Sequence, residues 1–152
     1  MKNNKLAITS DAFENGGNIP SQYTCDGKAI NPPFKVDDIP QGTKTLALIA
    51  EDPDAPSGTF DHWLIWNLPP ESIIEENRGD GINGRNGHGK TGYYPPCPPS
   101  GSHRYFFHVY ALDTSLNITE GSDKKTLQTA MKNHVLAEGT LMGRYSKLNS
   151  SL

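Results

Sequence analysis

The chain has few cysteines, no surplus of basic residues and no long apolar run, and each shortage closes off a class of function. Cys25 and Cys97, the only two in 152 residues, are too few for a disulfide framework or a zinc site built on thiolates. No apolar stretch approaches the roughly 18 residues that cross a bilayer as a helix. The opening Met1-Lys-Asn-Asn-Lys-Leu6 lacks the apolar segment of a signal peptide. A cytoplasmic location is therefore expected, with both thiols reduced, and nothing in their spacing argues for a bond between them. Asn117-Ile-Thr119 matches a glycosylation sequon that is expected to be idle without a secretory route. The formal net charge of −3 leaves no footprint for nucleic acid, and no basic stripe could track a phosphate backbone.

What the chain has in abundance is punctuation. Fifteen Gly and twelve Pro divide it into short apolar runs. Thr45-Leu-Ala-Leu-Ile-Ala50, His62-Trp-Leu-Ile-Trp-Asn67 and Tyr105-Phe-Phe-His-Val-Tyr-Ala-Leu112 are bounded by turn residues and rich in aromatics, as strands are. The Gly- and Pro-rich segments between them leave no room for crossover helices, so antiparallel pairing follows. One helix is expected, capped by Ser122, with Leu127, Ala130, Met131, His134 and Val135 on one face. It should end near Glu138-Gly139, with a last strand over Leu141 to Tyr145. The expected fold is mainly β: an antiparallel β-sandwich with a C-terminal helix, as one domain over residues 1–152. Glu75 to Pro99 reads as one long loop.

That loop contains Gly84-Arg-Asn-Gly-His-Gly89-Lys90-Thr91, which satisfies the phosphate-loop pattern G-x-x-x-x-G-K-[ST]. The pattern works only between a buried strand and a helix whose N-terminus faces the phosphates. Here polar residues precede it, and Pro95-Pro96 prevents a helix from following. A flexible glycine-rich loop is the better reading.

Two other segments carry the chemistry. Asp52-Pro-Asp-Ala-Pro56 leads into His62-Trp63, and Pro98-Pro99 leads into His103-Arg104-Tyr105. Strand alternation puts His103, Tyr105, Phe107 and Val109 on one face, and His62, Leu64 and Trp66 on one face of their own strand. Were the two strands neighbours, two imidazoles, a carboxylate and a phenol would meet over an apolar floor, the make-up of a small-molecule site. Imidazole and phenol can donate to an anionic oxygen. Asp52 would repel an anion unless it holds His62 or His103 as imidazolium. Taken singly, each residue has a plainer reading: Asp52 to Pro56 is a turn sequence in its own right, and Arg104 can pair with a carboxylate on the opposite face. His88 and His134 read as structural or solvent-exposed.

Those segments, together with Gly58-Thr-Phe-Asp-His-Trp63, Asn67-Leu-Pro69, Pro96-Cys-Pro-Pro99 and Gly101-Ser-His-Arg-Tyr105, resemble the phosphatidylethanolamine-binding protein family, also called Raf kinase inhibitor proteins. Ile19-Pro20, Tyr23-Thr-Cys-Asp-Gly27, Gly42 to Ile49 and Tyr110-Ala-Leu-Asp113 are similar to its bacterial and archaeal branch. The resemblance spans about residues 8 to 145. It implies a large central sheet packed on a smaller one, with an anion pocket at one end. By position it assigns Asp52, His62, Pro99, His103 and Tyr105 to that pocket, with Pro98 and Phe60 on its wall. Pro95 departs from the pattern, which usually has a glycine before Pro-Cys-Pro-Pro, and Asn31-Pro-Pro-Phe34 replaces a serine-led version.

The functional expectation is a non-enzymatic binder of a small anion, whether phosphate, a phospholipid headgroup or a carboxylate. It carries no cofactor or metal, and it regulates or inhibits a partner kinase or protease as the resemblance implies. A homodimer is a further expectation from the resemblance. The alternatives are a hydrolase with His62 or His103 as general base, for which no G-x-S-x-G elbow is present, and a metal triad of Asp52, His62 and His103.

Overall fold

The three apolar runs become the three central strands of one sheet. The computed structural model describes residues 4–78 and 81–147. In chain order its elements are β1 (Asn4–Lys5), β2 (Ala7–Thr9), β3 (Phe34–Asp37), β4 (Thr45–Asp52), β5 (Phe60–Leu68), β6 (Ile73–Ile74), β7 (Ile82–Asn83), β8 (Ser102–Leu112), α1 (Lys124–Met131) and β9 (Val135–Ser146). The large sheet runs β1-β9-β8-β4-β5-β7, and β2-β3-β6 forms a smaller one. Pairing is antiparallel throughout both sheets except at one edge, where β1 lies parallel to β9. The mainly antiparallel sandwich that was expected is observed, with that edge as its exception. Parallel neighbours need a long connection, and almost the whole chain lies between these two.

Alternation along β4 sorts its residues into two cores. Leu46, Leu48 and Ala50 face the small sheet and pack with Phe34, Val36, Phe107 and Val109. Ala47 and Ile49 face the other way and meet Leu64, Trp66 and the helix residues Leu127 and Met131. β4 is therefore buried on both faces, which is why it reads as an unbroken apolar run rather than an alternating one.

The helix is shorter than its periodicity suggests. Asp123, not Ser122, is the cap: its carboxylate accepts the Thr126 N–H at 2.9 Å, while the Ser122 hydroxyl donates to the Thr119 carbonyl. Asn133, at φ 70°, turns the chain out of the helix. His134 and Val135 thus leave the helical face, and Val135 opens a last strand that begins six residues before the expected Leu141. Gly139 ends nothing. It lies inside β9, where a Cβ would overlap the Leu6 carbonyl oxygen, and Leu6 N–H donates to Glu138 at 3.0 Å just beside it.

The segment 75–99 is not structureless: β7 pairs with β5, and Arg85 bridges to Thr91. Asn86 closes the turn over residues 84–92. Its amide oxygen accepts the His88 and Lys90 N–H groups, and its amide nitrogen donates to Gly92. The two-residue β7 precedes this turn and no helix follows it, so its amides do not form a phosphate cradle.

The cysteine expectation is overturned. Cys25 and Cys97 are joined in a disulfide, with Cα atoms 5.4 Å apart, and Cys25 N–H donates to Pro96 at 3.1 Å. The partners are 72 residues apart, and only the packing of two irregular loops brings them together, so spacing carried no signal. Closing a loop of that length is worth about 4 kcal/mol through the unfolded chain. Reduction, or Cys25→Ser, is expected to lower the stability measured by urea unfolding by about that amount. Coincident curves with and without dithiol reductant would contradict the bond.

Candidate functional site

β4 ends at Asp52, and the following turn is held from β8 on both faces. Asp52 Oδ1 accepts the Asp54 N–H at 2.8 Å, which shapes the Asp52-Pro53-Asp54 turn. Asp52 Oδ2 accepts from His103 Nδ1–H at 2.7 Å. The next residue of β8, Arg104, points the other way and grips Asp54 with its Nε, its terminal nitrogen and its backbone N–H, each at 2.9 Å. Consecutive residues of one strand thereby clamp alternate acids of one turn.

β5 supplies His62 by a route that strict alternation does not foresee. Glu51 pairs with Asp61 but Ala50 pairs with Trp63, so His62 is an extra residue, a β-bulge. Asp61 turns towards the helix and meets Lys124 Nζ at 2.7 Å. His62 is turned onto the face of Trp63 rather than that of Leu64 and Trp66, which corrects the face expected for it. His62 Nδ1–H donates to the Tyr94 carbonyl at 2.7 Å, and Tyr94 N–H returns a bond to the His62 carbonyl at 2.7 Å.

Asp52, His62, His103 and Tyr105 are 3, 6, 8 and 2 % exposed, and all four line one cavity of about 190 Å³. That is below the roughly 300–1,000 Å³ of a drug-sized site, so it suits a compact group. Phe60, Pro98 and Pro99, expected on its wall, are there. Ala55, Pro56, His88, Tyr94 and Cys97 complete the lining and were not foreseen. His88 stacks on Tyr94 at 4.8 Å between ring centres, which makes it part of the wall rather than a free loop residue. Both come from the irregular segment between β7 and β8, where no periodicity points to a face. Gly87 lets that segment approach, since a Cβ there would press on the Phe60 ring.

No Lys or Arg lines the cavity among the described residues. Burial lowers the pKa of His62, against the opposing pull of the Tyr94 carbonyl and of Asp52 and Asp61. Burial also raises that of Tyr105, with Asp52 and Asp54 adding to it, so the phenol stays neutral and able to donate. No three His, Cys, Asp or Glu side chains converge as a metal site would require among the described residues.

Comparison with known proteins shows the family and the fold. The family model described as phosphatidylethanolamine-binding protein matches residues 9–146. A UPF0098 protein of Methanothermobacter thermautotrophicus is 48% identical over 150 residues, spanning 93% of this chain and 99% of its own. Another, from Chlamydia muridarum, is 44% identical over 149 residues, with 93% and 99% covered. Among solved structures, a Chlamydia trachomatis homolog of phosphatidylethanolamine-binding protein superposes with a TM-score of 0.91 at 43% identity, over 95% of this chain and 99% of that one. YbcL of Escherichia coli, described as a new member of the mammalian family, gives 0.85 at 25% identity over 94% and 99%.

The acids around the site set an acid limit on stability. His108 and then Lys124 hold Glu51 down from 4.5 to about 2, and Arg104 holds Asp54 down from 3.8 to about 2. Both pKa values are depressed by folding, so their contribution is present above the unfolded values and is lost as pH falls towards 2. Thermal midpoints are expected to hold above about pH 5 and to drop between about pH 4.5 and 2, with a shallower drop in Glu51→Gln. The same acid slope in that variant would contradict the role given to Glu51.

Proposed function

The chain belongs to the phosphatidylethanolamine-binding protein family, and we propose that its sheet-end cavity makes it a non-enzymatic binder of a small anionic group. That group is a phosphate, the phosphate of a lipid headgroup, or a small carboxylate. One observation carries the reading: the buried Asp52–His103 pair, at 2.7 Å, stands beside Tyr105 and His62 in a cavity sized for a few heavy atoms. Both Asp52 oxygens accept from the protein, one from His103 and one from the Asp54 N–H, which offsets part of the repulsion its charge would exert on an anion. On the same reading the proline-held rim is where a partner kinase or protease would sense occupancy.

A hydrolase is the second reading, because His103 backed by Asp52 has the form of an oriented general base. Against it, the lining has no Ser or Thr, and its one Cys is bonded to Cys25.

Thermal unfolding with millimolar phosphate, phosphoethanolamine and acetate tests the binding reading. A ligand at a hundred times its Kd adds about 2.7 kcal/mol to stability. The stabilisation is expected in the wild type and lost in His103→Ala. Tyr105→Phe, which keeps the ring, is expected to weaken it and serves as control should His103→Ala unfold. No stabilisation by any of the three would contradict an anion site, and release of more than one equivalent of phosphate from phosphoethanolamine would contradict a non-enzymatic one.

A further inference from the structure

The wall of the cavity is tied down unevenly. Tyr94 is fixed by its paired bonds with His62, and His103 by its bond to Asp52. Residues 95–101, between those two anchors, form neither strand nor helix, and Pro95, Pro96, Pro98 and Pro99 make up most of them. Proline has no N–H to donate, so from Pro95 to Pro99 only Cys97 has a backbone donor with which to hold the fold. Two ties secure the segment from outside. One is the disulfide to Cys25, and the other is the Cys25 N–H, which donates to the Pro96 carbonyl at 3.1 Å. Both come from a single residue.

The loop that carries Cys25 is well bonded in its own right. The Tyr23, Thr24 and Gly27 N–H groups donate to the carbonyls of Pro20, Ser21 and Thr24, and Ala29 N–H donates to Gln22. The Tyr145 hydroxyl, on β9, donates to Asp26. Gly27 packs so closely that a Cβ there would overlap the Ser21 carbonyl oxygen. The disulfide thus fastens a segment with few donors of its own to a loop that needs no help. Breaking it would release the first and leave the second. The bond is also within reach of solvent, since Cys25 is exposed and Cys97 is only half-buried against the cavity it lines. Exposed disulfides are the ones that exchange readily with thiols in solution.

We propose that the Cys25–Cys97 disulfide is a thiol-operated switch on the cavity: when oxidised it holds Pro98 and Pro99 as wall, and when a small dithiol opens it residues 95–101 are freed and the cavity loses its fit for a ligand. A thiolate of the dithiol attacks one cysteine sulfur, a mixed disulfide forms, and the other cysteine leaves as thiolate. The second thiol of the dithiol then displaces the first cysteine. Two electrons pass to the protein, the dithiol ends as its own disulfide, and its two protons finish on Cys25 and Cys97. Asp52, His62 and Tyr105 stand on β4, β5 and β8 and keep their places. The ligand half of the switch rests on the anion-binding reading above, whereas the release of the segment does not. By linkage, the factor that reduction takes from ligand affinity is the factor by which bound ligand resists reduction.

The experiment uses the whole chain in three forms: oxidised wild type, wild type reduced with dithiothreitol, and Cys25→Ser, which breaks the bond and leaves every lining residue in place. Inorganic phosphate is titrated into each by calorimetry, and amide hydrogen exchange is followed in each without phosphate. The oxidised form is expected to bind phosphate about tenfold more tightly than the other two. Exchange is expected to quicken at Cys97, Ser100 and Gly101 in those two, while β4, β5 and β8 stay protected. Equal affinity in all three forms overturns the switch, and so does unchanged exchange at those residues. Exchange that rises through the central strands overturns it as well, because that is unfolding rather than release. So does a disulfide that survives millimolar dithiothreitol in the native protein. No binding by the oxidised form sinks the anion site itself and leaves exchange at residues 97–101 to decide whether the bond controls the wall.

Discussion

The hydrogen bond between Asp52 and His103 is the constraint on which the rest of the site depends. It joins the last residue of β4 to the second of β8, strands that lie side by side in the sheet. It is buried at both ends, and a buried carboxylate without a partner is costly. Removing either residue would therefore cost more than one contact. The turn that follows Asp52 would lose its anchor, and with it would go the alignment of Pro56 and the cavity mouth. The bond also settles which nitrogen of His103 is left without a protein partner, as the Tyr94 carbonyl does for His62. Two histidines held by two different acceptors give the cavity its chemistry.

Around that bond the cavity is built from pieces far apart in the chain, and each is tied down separately. Arg104 fixes the turn from the outer face, and the reciprocal bonds between His62 and Tyr94 fix the loop wall. The Cys25–Cys97 bond holds Pro98 and Pro99 in place through the residue just before them. Prolines lower the entropy that the rim would otherwise lose on ligand binding. A cavity assembled this way is preorganised, which is what the proposed binding of a small anion over so small a contact area requires.

The parts legible in the sequence were those with a local cause. The central strands show as apolar runs between prolines, and Leu127 and Met131 show at helical spacing. Asp52, His62, His103 and Tyr105 were each singled out as candidates, because polar residues at the ends of apolar strands stand out. What was hidden has a non-local or irregular cause. The bulge at His62 breaks the period of two, so alternation assigned that residue to the wrong face. The disulfide depends on two loops meeting. Tyr94 and His88 reach the wall from a segment without periodicity, and β9 starts early because Asn133, not a glycine, ends the helix turn. The phosphate-loop pattern shows the converse, a perfect local match with no fold around it.

A crystal structure of the wild-type protein grown at about pH 6 with inorganic phosphate tests the central claim most directly. Phosphate oxygens are expected within hydrogen-bond reach, about 2.5–3.2 Å, of His62 Nε2, His103 Nε2 and Tyr105 Oη. Phosphate bound elsewhere on the protein, with this cavity holding only water, would contradict it.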